Sequence, residues 1–177
     1  MIWRNIVLDF RQPVSYLIPA AIVATFIMLF YRVCTKKKMR ISCILLIIYG
    51  EVLFQTAFLS REPGSRKEID VDLFATWGNT SIAHAYFIEN ILMFIPFGVL
   101  VPIVFPRMQK LQWCLLAGFL CSCGIELLQL ITQRGYCQLD DVVTNTVGTL
   151  LGWLICTGWK MSKRRLLELF GDRYPKM

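Results

Sequence analysis

The fold of this chain is decided by two stretches of sequence, VSYLIPAAIVATFIMLFYRV (residues 14–33) and ISCILLIIYGEVLFQTAFLS (residues 41–60). The first has no charge before Arg32, and the second has only Glu51. A helix rises about 1.5 Å per residue, so about 20 apolar residues cross a hydrocarbon core of about 30 Å. Both stretches are therefore predicted to be transmembrane helices.

Three further apolar blocks, at about 86–105, 112–131 and 140–159, bring the predicted number of spans to five. Across all 177 residues, 56% are hydrophobic, 18% are charged and the mean hydropathy is +0.55. Five spans leave no room for a separate water-soluble domain. This excludes a soluble enzyme, a disordered chain and a disulfide-stapled secreted module. The prediction is an all-α, polytopic membrane helical bundle of about five transmembrane helices.

The transmembrane domain is predicted to cover residues 14–160. Residues 1–13 mix aromatic, aliphatic and charged side chains, so they are expected to lie at the membrane interface or to fray. Residues 161–177 are expected to form a basic cytoplasmic tail. Most Lys and Arg residues fall in the tail and in the connections after the first and third spans, so those segments are predicted to be cytoplasmic. This places the N-terminus outside and the C-terminus inside.

The scattered cations predict contact with membrane lipids and no nucleic-acid partner. By contrast, polar side chains from four segments are predicted to lie at one depth near the outer surface. Glu126 and Asp141 are the candidate catalytic residues. The candidate ligand-binding residues are Arg61, Glu89, Asn90, Gln129, Arg134, Asp140 and Asn145.

Helical spacing supports a shared site. Glu126 and Gln129 lie on one face of the fourth span, and Asp141 and Asn145 lie on one face of the fifth. Gly148-x-x-x-Gly152 follows on that second face and would let a neighbouring helix approach closely. Because polar groups facing lipid are costly, these side chains are predicted to line a cup that is open to the outside.

Each polar residue also has a simpler interpretation. Asp140 and Asp141 could serve as caps favoured by the helix dipole, and Asn145 could join two helices. Oxygen ligands from Glu89, Glu126 and Asp141 would suit Mg²⁺ or Ca²⁺, whereas a chain with one histidine is not expected to bind zinc. Neither a metal nor a cofactor is predicted. The seven cysteines are interpreted as small apolar packing residues.

Residues 90–98, NILMFIPFG, resemble the N-x-x-x-F-x-P-x-G signature of the VanZ-like family. Residues after position 125 resemble that family's second block, which is E-x-x-Q followed by R, D and N-x-x-G-x-x-x-G. Its elements match Glu126, Gln129, Arg134, Asp141, Asn145, Gly148 and Gly152, and Arg61 fits its arginine after an early span. The resemblance covers residues 61–152. One departure is Gln138, at a position where that family often has an acidic residue.

The resemblance implies the plasma membrane of a bacterium, expected to be Gram-positive, and an association with resistance to the glycopeptide teicoplanin. It supplies no reaction, so whether the protein is an enzyme stays open. One hypothesis is an outward-facing site that binds or modifies a lipid, a cell-wall precursor or the lipoglycopeptide. An alternative is a membrane enzyme in which Glu126 and Asp141 supply acid/base chemistry while Arg61 and Arg134 hold an anionic group. A small transporter is disfavoured because the chain shows no inverted repeat, unless it oligomerises. The residues slightly favour binding.

Overall fold

A computed structural model describes residues 2–64, 69–70, 80–135 and 137–171 of the chain. The last part of the predicted basic tail, residues 172–177, lies outside the described residues. The elements follow in the order α1 (Ile2–Asp9), α2 (Arg11–Ser15), α3 (Leu17–Thr35), α4 (Ile41–Phe54), a π-helical turn (Gln55–Leu59), β1 (Ile69–Asp70), α5 (Ser81–Val104), a 3-10 turn (Pro106–Gln109), α6 (Leu111–Thr132), β2 (Cys137–Gln138) and α7 (Leu139–Gly171).

The predicted all-α membrane bundle is confirmed. Among the described residues, five helical segments are long and apolar enough to cross a membrane. They are Ile2–Thr35, Ile41–Leu59, Ser81–Val104, Leu111–Thr132 and Leu139–Arg165. Large apolar side chains such as Phe26 and Phe30 are about 70% exposed on the outside of the bundle, where they suit a lipid environment. The orientation of the bundle in the membrane stays a prediction.

Two helices extend beyond the predicted spans. Helix α5 begins at Ser81 rather than near Tyr86, because the Thr80 side chain accepts a hydrogen bond from the Ala83 N–H (3.2 Å) and caps the helix. Glu89 therefore lies more than two turns inside α5 rather than one. Helix α7 continues past Trp159 to Gly171, since the Lys- and Arg-rich sequence that follows favours helix and contains no proline.

The N-terminal segment is helical rather than frayed. Helix α1 packs against α5 and buries Ile6, which is 5% exposed, while Trp3 and Val7 on its other side are well exposed. Helix α2 contacts the π-helical turn that follows α4. The first 15 residues thus cover one side of the bundle near the end where α5 and α7 begin.

The centre of the fold is the contact between α5 and α7. A Cβ atom on Gly148 would overlap the Ile91 carbonyl oxygen, and one on Gly152 would overlap the Ile95 carbonyl oxygen. Phe94, which lies between Ile91 and Ile95 on α5, is completely buried. The close approach predicted for the Gly148-x-x-x-Gly152 motif is confirmed, and it fixes α5 against α7 backbone to backbone.

The connections at one end of the bundle are tied together. The strands β1 and β2 pair in parallel, with Ile69 opposite Cys137, and the Gly64 N–H donates to the Gln133 carbonyl (2.9 Å). The segment after α4 is thereby joined to the link between α6 and α7. The side chains predicted for the site lie on these connections or within about the first three or last two turns of the helices beside them.

Candidate functional site

A cavity of about 880 Å³ opens among α1, α2, α4, α5 and the start of α7. Five of the side chains predicted for the site line it. They are Arg61, Glu89, Asn90, Arg134 and Asp141. The structure therefore brings together polar groups from the end of α4, from α5, from the α6–α7 link and from α7.

The opposite end of the same cavity is apolar. It is lined by Val52, Leu53, Leu92, Met93 and Pro96, beside Tyr49. The lining residues on α5 extend from Ile82 to Pro96, a distance of about 21 Å along the helix at 1.5 Å per residue. The cavity thus has one apolar end and a second end, called polar here, where the charged and amide groups lie among apolar side chains such as Ile82, Tyr86 and Phe87.

Asn90 and Asp141 form the polar contact between the two central helices. Asn90 Nδ2 donates a hydrogen bond of 2.7 Å to Asp141 Oδ1, across 51 positions of sequence. Asp141 lies in the first turn of α7, where the helix dipole stabilises a negative charge. The pair holds one carboxylate at a fixed place in the cavity wall.

Arg134 is bonded to the backbone that precedes the long loop. Its Nη1 donates to the carbonyl oxygens of Arg61 (2.9 Å) and Phe58 (3.3 Å), and its guanidinium lies 5.0 Å from the centre of the Phe58 ring. These contacts hold the end of the π-helical turn, and with it the backbone of Arg61. Arg134 therefore positions Arg61 from behind, although it also reaches the cavity.

The Arg61 guanidinium lies over Gly135. A Cβ atom on Gly135 would stand 2.5 Å from Arg61 Nη1 and 3.2 Å from Gln129 Oε1. Gln129 is 1% exposed, and its Nε2 donates to the Ala57 carbonyl (2.7 Å) in the π-helical turn. Such turns free backbone carbonyls from the normal helical pattern. Absence of a side chain at position 135 is what allows Arg61 to occupy this place.

Glu126 lies behind the cavity wall. It is 3% exposed, and its Oε2 accepts a hydrogen bond of 2.9 Å from the backbone N–H of Gln138. Gln138 itself lines the cavity. Asp141 and Arg61 lie close enough to Glu126 for their charges to interact with its carboxyl group. The predicted cup therefore contains Asn90 and Asp141, with Glu126 as a buried neighbour that is separated from the hollow.

Three other predicted residues do not line the cavity, namely Gln129, Asp140 and Asn145. Asn145 Nδ2 donates to Ser122 Oγ (2.8 Å), which joins α7 to α6. This contact agrees with the simpler interpretation of Asn145, in which its side chain joins two helices. Asp140 is 3% exposed in the first turn of α7.

Sequence reasoning missed Asp9. It lines the cavity from the end of α1, close enough to Glu89 for the two carboxyl groups to interact. No periodicity relates the two residues, because they are 80 positions apart. One feature of the sequence could have pointed to Asp9, namely that it is the single acidic residue among the first 13.

In the part of the chain that the structure describes, no group of three or more His, Cys, Asp or Glu side chains is placed to hold a metal ion. The alternative of an all-oxygen Mg²⁺ or Ca²⁺ site built from Glu89, Glu126 and Asp141 is therefore not assembled here. The arrangement can instead offer one guanidinium, several carboxyl groups and an apolar chamber to a ligand.

The comparisons with known proteins identify the family to which the chain is similar. A family model described as VanZ/LLP1 matches residues 14–160. A curated relative, Protein VanZ from Enterococcus faecium, is 38% identical over 65 residues, which cover 37% of this chain and 40% of that protein. The match thus spans well under half of the relative's length. No solved structure matches the chain.

Proposed function

The chain belongs to the VanZ/LLP1 family, and from this premise we propose that its cavity binds an amphiphile of the bacterial cell envelope and thereby contributes to glycopeptide resistance. The five apolar helices and the Enterococcus relative identify a multi-pass bacterial membrane protein. The ligand class we propose is a membrane lipid, a lipid-linked wall precursor or the lipoglycopeptide teicoplanin.

The observation that carries this proposal is the division of one cavity into a polar and an apolar end. Its volume of about 880 Å³ falls within the range of about 300–1,000 Å³ that is common for small-molecule sites. An acyl chain would lie along the apolar surface from Leu92 to Pro96, and its head group would meet Arg61 and Asp141. A purely polar ligand would leave the apolar end without a partner.

Arg61 is the residue that we propose to contact an anionic group of the ligand. A guanidinium matches phosphate and carboxylate groups through paired N–H donors. Arg134 holds the backbone of Arg61 and Gly135 leaves room for its guanidinium, so less backbone freedom is lost when a ligand binds. The distribution of Lys and Arg predicts that this end of the bundle faces the outside, where wall precursors and the antibiotic are found.

Binding is favoured over acid/base chemistry by the position of Glu126. A general acid or base must come within hydrogen-bonding reach of the reacting atom. Glu126 is 3% exposed and occupied by the Gln138 N–H, so it does not offer its carboxylate to the cavity. Asp141 does line the cavity, but its Oδ1 already accepts a hydrogen bond from Asn90.

The test is expression in a teicoplanin-susceptible Gram-positive host. We expect the Arg61→Gln and Asp141→Asn variants to lose protection at equal membrane abundance. Arg107→Gln, on the 3-10 turn at the opposite end of the bundle, is the matched control and should protect fully. Protection should scale with the amount of protein, and mass spectrometry should find no altered lipid or wall precursor. Full protection by both cavity variants would end the proposal, and an altered envelope product would replace binding with catalysis.

A further inference from the structure

The polar end of the cavity contains more acidic than basic groups. Its lining carboxyl groups belong to Asp9, Glu62, Glu89 and Asp141, and its guanidinium groups belong to Arg61 and Arg134. Arg134 already donates hydrogen bonds to two backbone carbonyls. A head group with negative charge alone would therefore meet one available guanidinium and an excess of carboxyl groups, which opposes binding.

Asp9 and Glu89 lie close together in this acidic group, on α1 and α5 respectively. Glu89 Oε1 is buried and has no hydrogen-bond partner among the described residues. This oxygen is an acceptor that is not yet used.

Asp9 comes from a part of the chain outside the matched family region. The family model covers residues 14–160, whereas Asp9, Phe10, Gln12 and Pro13 also line the cavity. Helix α1, which carries Asp9, is held in place, because Ile6 is 5% exposed and α1 packs on α5. One wall of the cavity is thus formed by residues that precede the family core.

We propose that this N-terminal helix sets the ligand selectivity of the cavity, with Asp9 and Glu89 receiving a cationic amine while Arg61 faces an anionic group of the same head. The preferred ligand is then a zwitterionic, amine-bearing amphiphile. When the amine binds, its N–H groups donate to the carboxylate oxygens of Asp9 and Glu89. This inference rests on the proposed function, because it specifies the ligand of the same cavity.

The experiment uses the full chain purified in detergent and native mass spectrometry with defined lipids. The two probes are dioleoyl phosphatidylethanolamine and dioleoyl phosphatidylglycerol, which share acyl chains and differ in the amine. We expect the unmodified protein to bind the ethanolamine lipid about tenfold more tightly, the size of a charge-assisted hydrogen bond. Asp9→Asn and Glu89→Gln should reduce this preference to about twofold or less. Free phosphoethanolamine should not bind at the same concentrations, because it lacks the acyl chains.

Glu51→Gln is the matched control, since it also removes one carboxylate from a membrane-spanning helix. Glu51 does not line the cavity, and its Oε1 accepts a hydrogen bond from Gln55 Nε2 (2.9 Å) within α4. This variant should keep the tenfold preference. Equal binding of both lipids by the unmodified protein, or an unchanged preference in Asp9→Asn, would overturn the inference and leave the proposed function standing. Binding of neither lipid would overturn both, and tight binding of free phosphoethanolamine would show that the ligand is not an amphiphile.

Discussion

Replacing Gly135 by alanine is expected to weaken ligand binding while leaving the fold stable. The new Cβ would stand 2.5 Å from Arg61 Nη1 and 3.2 Å from Gln129 Oε1, so the guanidinium must move away. The atom displaced is the far end of a flexible side chain, and no backbone atom is among the nearest neighbours. The loss of folding stability should therefore be small. Alanine also lowers the entropy of the unfolded chain, which stabilises the fold by about 0.4–1 kcal/mol.

The loss of binding can be given a magnitude. A hydrogen bond to a charged group contributes about 1.5–3 kcal/mol, and each 1.4 kcal/mol corresponds to about a tenfold change in affinity. If Arg61 loses its contact with an anionic group, affinity should fall by about 10- to 150-fold. The thermal unfolding midpoint in detergent should move by no more than a few degrees.

The assay is lipid binding by native mass spectrometry, carried out as a double-mutant cycle with Arg61→Ala. Gly135→Ala should weaken binding in the original chain and have almost no further effect once Arg61 is absent. Gly124→Ala is the control, since nothing lies within 4 Å of a Cβ atom there. Normal binding by Gly135→Ala, or the same loss with and without the Arg61 side chain, would show that Gly135 does not act through Arg61.

Three further outcomes follow from the packing and the charges. Gly148→Ala should destabilise the protein by about 1–3 kcal/mol, because its Cβ would overlap the rigid Ile91 carbonyl. Unfolding in detergent measures this loss, and an unchanged midpoint would contradict the close contact between α5 and α7. Asn145→Ala should lower the unfolding midpoint but leave lipid affinity unchanged, since its hydrogen bond to Ser122 joins α6 and α7. An affinity loss as large as that of Arg61→Gln would return Asn145 to the site. Burial, and then the charge of Glu126, raises the pKa of Cys137, so a membrane-impermeant maleimide should label this thiol slowly from outside the cell at pH 8. Labelling should be faster in Glu126→Gln, because the substitution lowers the pKa of Cys137. A labelling rate that does not respond to the substitution, or labelling from the cytoplasm alone, would contradict this prediction.

The membrane architecture could be predicted from sequence because span length is a strong physical constraint. Residues 41–60 were assigned to a span and the helical segment Ile41–Leu59 occupies it. The start of α5 was missed because Thr80 and Ser81 read as loop residues, while the capping bond of Thr80 makes them a helix start. Local polarity alone does not separate a loop from a capped helix end.

The site could be predicted only in part, because helical spacing gives a face but not the neighbour that covers it. Asp141 and Asn145 share a face of α7, yet Asp141 meets Asn90 on α5 and Asn145 meets Ser122 on α6. Helix α7 lies between those two helices, so one polar stripe serves two contacts. In the same way, the spacing in α6 did not reveal that the α6–α7 link returns over Glu126.

Asp9 shows a different limit of the sequence. Its partner Glu89 lies on another helix, and their contact depends on how α1 packs against α5. Packing of this kind is set by the shapes of side chains such as Ile6, which carry no positional pattern in sequence. The residue that we propose as a selectivity determinant was therefore invisible before the fold was known.

The most direct test of an amphiphile in this cavity is site-specific photocrosslinking in native bacterial membranes. A photoreactive residue at Val52 would lie in the apolar end, and one at Leu120, which is 58% exposed on α6, would face the surrounding lipid. We predict that Val52 captures a single enriched amphiphile and that Arg61→Gln abolishes this capture, while Leu120 captures the bulk lipid mixture in both backgrounds. Capture of the same mixture at both positions, independent of Arg61, would contradict the account.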